Sequence, residues 1–392
     1  MAAGRDADVI VIGAGSAGCA AAVRLAMRGH DVLVLERGPL DPGVMWLSGE
    51  LLHPVTQAEC QEIGLALEGD WLCDRVSAVR NVYPDLSWTL HRMPDGVSFV
   101  NVDRGGFNSA LRRRVLAAGG RIVPDVRVVD VATTGDAALV RTADGTEFRG
   151  ALVIDAGGRH APSLKSFGLK AEDPEFNQIA VAMFFSRFEG LPENTWSRHF
   201  YGEGGAMLSG CRITAGLFRI VLEADLDDKQ TKRKTPADFM ESVARAYDPW
   251  MAERIATGMR SLPIWAMAPL AYRVSEVARD RLLLAGDSTG YLSPVSGQGN
   301  EFAMRMGRLA AQAADEALER GDLSASAFAS YEKGRRAEVE AQVDVVRRQL
   351  RFQRDRDALL RASVDDAFRV EVFGPLCYES ADRGSLRAEL AA

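Results

Sequence analysis

The chain has 392 residues, 47% of them hydrophobic, with a net charge of −7 and a pI near 5.5. That balance supports a sizeable core in one large or two intimate domains and argues against a nucleic-acid-binding surface. Five scattered cysteines without metal or disulfide spacing, and no apolar run of about 18 residues, argue against zinc, a disulfide scaffold and an integral membrane segment.

The stretch "ADVIVIGAGSAGCAAAVRLAMRGHDVLVLER" reads as strand, tight turn, helix, strand. The apolar run at 9–12 breaks at glycine and follows Arg5, Asp6 and Asp8, unlike a signal peptide, so a reducing, cytoplasmic setting is expected. Val9 to Ile12 is a β-branched run of the kind buried on both faces of a parallel sheet. Gly13, Gly15 and Gly18 form GxGxxG: a tight turn, a close backbone approach to a pyrophosphate, and close helix–strand packing. Ser16 and Ala17 open the helix whose N-terminus faces the phosphates. Glu36 ends the second strand, where an acid reaches a ribose diol. The unit binds a dinucleotide, NAD or FAD.

"WLSGELLHPVTQAECQEIGL" follows, with Gly49, Glu50 and Pro54 before a helix. "DRGGFNSAL" spaces Arg104, Phe107 and Leu111 as RxxFxxxL at a helix start, with Arg112 next. Residues 121–154 alternate and carry Gly/Asp turns, predicting short strands and a hairpin. They run into "DAGGR", Asp155 to Arg159. Between 176 and 225 several segments read as strands of a mostly antiparallel sheet. His199 and Tyr201 sit at i, i+2 and share a face, either lining a pocket or facing solvent. "TPADFMESVARAYDPWMAERI" predicts an amphipathic helix pair broken at proline. Leu282 to Ala285 predicts a late strand, Gly286 and Asp287 follow it, and Pro294, Gly297, Gly299 and Asn300 lead into a long helix. The tail from Tyr331 is charged and Arg-rich.

Four of these stretches, spanning about residues 8–315 in this order, resemble the p-hydroxybenzoate-hydroxylase-type flavoproteins: GxGxxG with Glu36 and Arg37, RxxFxxxL, the DG-like "DAGGR", and 286–300. That group includes single-component monooxygenases, squalene-epoxidase-like enzymes, geranylgeranyl reductases and flavin-dependent halogenases. The resemblance implies FAD as cofactor, with Arg104 and its neighbours along it. It implies that Asp155 and Arg159 serve flavin and nicotinamide. Asp287 would meet the ribityl–phosphate part, and the backbone of 297–300 the flavin pyrimidine. Pro294 and Gly49–Glu50 would line the reacting face, although Glu50 could equally be a buried acid paired with an arginine. Trp46, Trp196 and Trp265 are candidate pocket walls or core, and His160 is a loop residue.

The fold implied is α/β. A Rossmann-like FAD-binding domain (1–80, 100–175 and 270–330) carries an inserted β-sheet substrate domain (81–99 and 176–269) and a helical C-terminal segment (331–392). The activity implied is a monooxygenase that uses a flavin C4a-hydroperoxide to hydroxylate or epoxidise a bulky, partly apolar substrate, small-molecule or carrier- or peptide-bound. O2 would be co-substrate, with NAD(P)H or a partner flavin reductase as electron source. The alternative is a geranylgeranyl-type reductase working without oxygen insertion, although the aromatic-Pro strand of those enzymes is missing around 199–225. A flavin-binding regulatory protein is a third reading. Halogenation is disfavoured: no lysine precedes Lys165, and WxWxIP is reduced to Trp265 alone in "PIWAM".

Overall fold

A computed structural model describes residues 4–45, 50–226, 234–290, 298–373 and 381–387. The N-terminal run forms strand Ala7–Ile12 at the centre of a sheet. Strands Leu282–Leu284 and Glu147–Asp155 lie parallel to it on one side, Val32–Leu35 and Arg121–Val123 on the other. The inner strands Ala7–Ile12, Val32–Leu35 and Leu282–Leu284, buried on both faces, need continuous β-branched and leucine runs. Strand Glu147–Asp155 does double duty. Its first half closes an antiparallel meander with Ala138–Thr142 and Val128–Thr133, and its second half joins the parallel core.

Helix Ser16–Met27 packs on this sheet between helices Arg104–Ala117 and Gly299–Arg320. The contact with the last is close because both sides are small. A Cβ on Gly307 would lie 2.3 Å from the Ala17 carbonyl oxygen. Helix Gly299–Arg320 adds five alanines, buried at 310, 311, 313, 314 and 317, and stops at Gly321, whose φ of +69° suits a residue without Cβ.

The second sheet has nine strands. Its path runs Met259–Arg260, Gln178–Arg187, Leu217–Asp225, Met207–Thr214, Thr195–Phe200, Ala78–Val82, Ser87–Arg92 and Ala381–Ser385, with Trp265–Met267 also on Gln178–Arg187. Only Thr195–Phe200 against Ala78–Val82 is parallel. The C-terminal segment is therefore not helical throughout. After helices Ala329–Gln353, Arg356–Val364 and Asp366–Phe373 it returns as an edge strand.

The two faces of this sheet have different covers. Val181, Met183 and Phe185 pack on helices Pro236–Tyr247 and Pro249–Thr257. The alternate residues Ala182 and Phe184 pack with Leu51 and Phe99 of a three-stranded sheet formed by Leu51–Leu52, Phe99–Val102 and Leu72–Val76. The same face, at Phe200 and Met207, receives Leu359, Ala362 and Phe373 of the C-terminal helices. The architecture is thus a Rossmann-type domain with an inserted sheet and a C-terminal helical layer.

Candidate functional site

The GxGxxG turn is built as its glycines require. Gly13 has φ +90°, and a Cβ there would meet the Ala156 carbonyl oxygen at 2.8 Å. A Cβ on Gly18 would lie 1.9 Å from Gly13 O. Around Gly15 there is open space within 4 Å of a Cβ position. The helix that starts at Ser16 has neither a side-chain cap nor an acid in its first turn. Its first N–H groups are available to an anion.

Two other helices begin at the same place. Arg104, first residue of Arg104–Ala117, donates from Nη2 to Ser16 Oγ at 3.2 Å and from Nη1 to Asn300 Oδ1. Ser16 Oγ donates to Asn300 Oδ1 at 3.2 Å, and Asn300 is the second residue of Gly299–Arg320. Three helix starts and the half-buried Arg104 guanidinium converge, and the uncapped end at Ser16 with Arg104 suits a diphosphate. Burial pushes the Arg104 guanidinium below its usual range while the Glu50 and Asp287 carboxylates oppose this. Asp103 caps its helix by accepting from Gly105 and Gly106 N–H and also holds Met45 N–H at 2.8 Å.

Glu36 accepts from Ala14 N–H at 2.6 Å and Gly38 N–H at 2.8 Å. It sits at the end of its strand as expected for a ribose-facing acid. Arg112 is engaged within the turn. It donates to the carbonyls of Ala14, Pro39 and Leu40 and lies 3.4 Å from Glu36, bracing the turn from beneath. Asp155 is likewise occupied, accepting from Gly157 N–H at 3.0 Å and Ser163 N–H at 2.9 Å. Burial raises its carboxyl. It folds the DG-like loop and does not reach outward. Arg37 is exposed, and Arg159 donates to Pro269 O at 2.7 Å. The charges of Arg37, Arg159 and Lys170 all act on exposed His160, whose pKa is lowered by burial first and then by them.

The late strand delivers Gly286–Thr289, a 3₁₀ turn, against the first helix. Gly286 has φ +67°, and a Cβ on it would stand 2.7 Å from that of Ala17. Ser288 Oγ donates to Asp155 O at 2.6 Å, tying the third and fourth stretches together. Burial pushes the Asp287 carboxyl up to about 6, with Arg104 and Arg159 pulling it down. Tyr272, which no sequence motif singled out, donates its hydroxyl to Asp287 O. Beside Gly290, Gln298 and Gly299 opens a cavity of about 590 Å³, walled also by Phe176, Tyr272 and Phe302. Pro294 and Gly297, with Gly49 and Trp46, lie outside the described residues.

Glu50 takes the second of its two readings. It is buried and ion-paired with buried Arg219, which also donates to Cys211 Sγ at 3.8 Å. Trp265 is half-buried on its strand, and Trp196 is core, edge-on to Phe99 at 6.1 Å. His199 and Tyr201 share a face, but it is the helix-covered one, so neither lines the cavity nor meets solvent. His199 Nδ1 donates to Asp248 Oδ2 at 2.6 Å, and Tyr201 donates to the same oxygen at 3.3 Å. Ser197 Oγ donates to His199 Nε2 at 3.0 Å and accepts from Arg80 Nε. Ser197, His199 and Asp248 follow the order of a hydrolytic triad, yet all three are fully buried and no reactant reaches them. Asp248 caps helix Pro249–Thr257 at Met251 N–H, so the cluster fastens the helix pair to the sheet.

The first residues, 8–81, match a family profile described as FAD dependent oxidoreductase, and 109–346, more than half of the chain, match one described as FAD binding domain. A 1H-pyrrole-2-carbonyl-[peptidyl-carrier protein] chlorinase of Pseudomonas fluorescens is 23% identical, over 83% of this chain and 80% of the relative. A menaquinone reductase of Mycobacterium tuberculosis is 28% identical, over 79% and 77%. Digeranylgeranylglycerophospholipid reductase 1 of Methanothermobacter thermautotrophicus is 25% identical, over 85% and 83%. Among solved structures, the flavin-dependent brominase Bmp2 superposes with a TM-score of 0.81 at 20% identity, over 94% of this chain and 93% of its own. The halogenase PltM gives 0.79 at 16%, over 92% and 80%.

Proposed function

Because the chain belongs to the FAD-binding-domain family of FAD-dependent oxidoreductases, we propose that it is a monooxygenase that hydroxylates or epoxidises a bulky, partly apolar substrate. The residues fit FAD. Gly13, Gly15, Ser16, Ala17, Gly18 and Arg104 hold the diphosphate, and Glu36 holds the adenosine ribose. Gly286, Asp287, Gly299 and Asn300 lie along the flavin half. When bound, FAD supplies two-electron redox chemistry and the reaction with dioxygen that the protein's own side chains lack.

The observation that carries the reading is the cavity of about 590 Å³ opening directly at Gly299. Phe176, Tyr272 and Phe302 offer it an apolar wall for a bulky body, while Glu175, Arg273, Arg335 and Arg347 line other parts of it with charge. Glu50 is buried and paired with Arg219, which removes it as a free base. Acid–base chemistry is assigned to no residue, and positioning is the protein's contribution. Electrons come from NAD(P)H, for whose phosphates exposed Arg37 and Lys170 and half-buried Arg159 offer charge, or from a flavin reductase. The named activity of the P. fluorescens chlorinase favours a carrier-bound substrate as one form. Halogenation itself stays disfavoured, since no lysine precedes Lys165.

A reductase is the second reading, favoured by the menaquinone and prenyl-lipid reductases among the relatives. Stopped-flow absorbance of the anaerobically reduced holoenzyme mixed with oxygenated buffer separates the two. An oxygen-dependent transient between the reduced and oxidised spectra is expected. Direct reoxidation, both alone and with the acceptor present, overturns the monooxygenase reading.

A further inference from the structure

The charges that line the cavity beside Gly299 are not equally engaged. Arg273 donates to Asp173 at 2.8 and 3.1 Å and lies 3.5 Å from Glu175. Arg347 donates to Glu175 Oε2 at 2.9 Å and lies 3.9 Å from Asp344. These two arginines and three acids satisfy one another. Arg335 lines the same cavity and stands apart from them. Its Nη2 donates to Thr289 O, its Nε and Nη1 have no partner, and it forms no ion pair among the described residues. The side chain is half-buried. Burial lowers its pKa, and the neighbouring Tyr331 and Glu332 offset only part of this. A charge drawn out of water without a counter-charge is costly, so an anion that entered the cavity would be favoured beside it. Gly290 leaves the guanidinium its room: a Cβ there would stand 3.2 Å from Nη2.

This cation heads an apolar stripe. Arg335, Val339 and Val343 stand at i, i+4 and i+8 on helix Ala329–Gln353, and all three line the cavity with Phe176 and Phe302. Val343 packs on the small core cluster of Phe176, Val346 and Leu350. From Arg335 to Val343 the helix rises about 12 Å, enough for a body of two fused rings or more. The whole lining sets Asp173, Glu175, Glu340 and Asp344 against Arg273, Arg335 and Arg347, one acid in excess. A dianion is therefore disfavoured, and a cation is repelled by the one guanidinium without an acid. A single negative charge on an apolar body fits both.

We propose that Arg335 is the carboxylate receptor of the substrate chamber, and that the substrate is a monoanionic acid whose apolar body lies along Val339 and Val343. This rests on reading the cavity as the substrate chamber.

The test is calorimetric titration of the FAD-loaded full chain with 2-naphthoate, its neutral isostere 2-naphthamide and the dianion 2-naphthyl phosphate. Naphthoate should bind at least about tenfold more tightly than the amide, because hydrogen bonds between charged partners are the stronger ones. It should also bind more tightly than the phosphate. Arg335→Gln can still donate to Thr289 O, and it should weaken the acid alone until acid and amide bind about equally. Arg335→Lys, which keeps the charge, should retain part of the preference. If Arg335 only props the turn at Thr289 and Gly290, the glutamine variant leaves the ratio unchanged or weakens acid and amide alike, and either result overturns the proposal. So do equal binding of acid and amide to the wild type, binding of neither, and a phosphate that binds tightest. Retained FAD absorbance shows that each variant is folded. The readout needs no turnover. An acid preference that Arg335→Gln abolishes, with no oxygen-dependent transient in the presence of naphthoate, would sink the monooxygenase reading alone.

Discussion

Arg104 is the side chain proposed to hold the cofactor's diphosphate. It is held by Ser16 and Asn300, so its guanidinium arrives preorganised among three helix N-termini. Lysine keeps the charge but cannot bridge both partners in one plane. Arg104→Lys should weaken FAD binding by about 1.5–3 kcal/mol, on the order of 10- to 100-fold in Kd, read from the fluorescence of released flavin. Glu223 acts on stability in a pH-dependent way. Its folded pKa, about 8, stands above the 4.5 of the unfolded chain, so the folded state holds the proton more tightly. Its contribution is complete below pH 4.5 and is lost as pH rises towards 8, at up to about 1.4 kcal/mol per pH unit. Glu223→Gln should flatten that part of the stability–pH curve in urea melts taken from pH 5 to 8. An unchanged slope would show that the acid is ionised throughout. Neither Glu223 nor Tyr272 carried a sequence signal. Each is one polar residue in an ordinary strand, and only burial without a partner, or contact with Asp287, sets it apart.

At the scale of elements, local chemistry was legible and orientation was not. GxGxxG, the capped helix after Asp103 and the alanine-rich helix after Gly299 follow from turn geometry, capping and small-residue packing, which act within a few residues. The period-2 pattern correctly paired His199 with Tyr201 on one face. It could not say which layer that face meets, because helix and cavity both accept buried polar groups when these are partnered. The partner, Asp248, lies 49 residues from His199. Asp248→Ala removes a helix cap and the acceptor of His199 and Tyr201 together, so it should cost about 2–4 kcal/mol in chemical denaturation. FAD content should hardly change, because the cluster lies on the face away from the cofactor. A large loss of flavin would instead mean that this layer shapes the site. Gly307 argues the complementary case. Gly307→Val drives a side chain into the Ala17 backbone, 2.3 Å from where its Cβ would stand. It should lower stability by about 1–3 kcal/mol and weaken FAD binding too, since the helix it displaces carries Asn300.

For the whole molecule, the property that matters is convergence. Residues 16, 104 and 300 belong to three motifs that the sequence shows separately, and their order along the chain does not reveal that their helices start at one point. The parallel sheet does this for helix Ser16–Met27, which starts where its first strand ends, whereas helix Arg104–Ala117 enters from strand Phe99–Val102 of the three-stranded antiparallel sheet. The same packing sets a half-buried Arg104 beside the first helix, whose first turn has no side-chain cap and no acid. The flavin-free protein should therefore respond to a bare dianion, not only to FAD. Binding to the native state alone stabilises by about 2.7 kcal/mol when the ligand is at 100 times its Kd. Stripped of flavin, the protein should gain melting temperature with inorganic pyrophosphate and gain more with FAD. Arg104→Lys should shrink the pyrophosphate response, and Glu36→Gln should leave it largely intact while reducing the FAD response, because the role proposed for Glu36 is with the sugar and not the phosphates. Equal loss of both responses in both variants would mean that the site folds only around the whole cofactor, and that the three helix ends are assembled by FAD and not by the sheet.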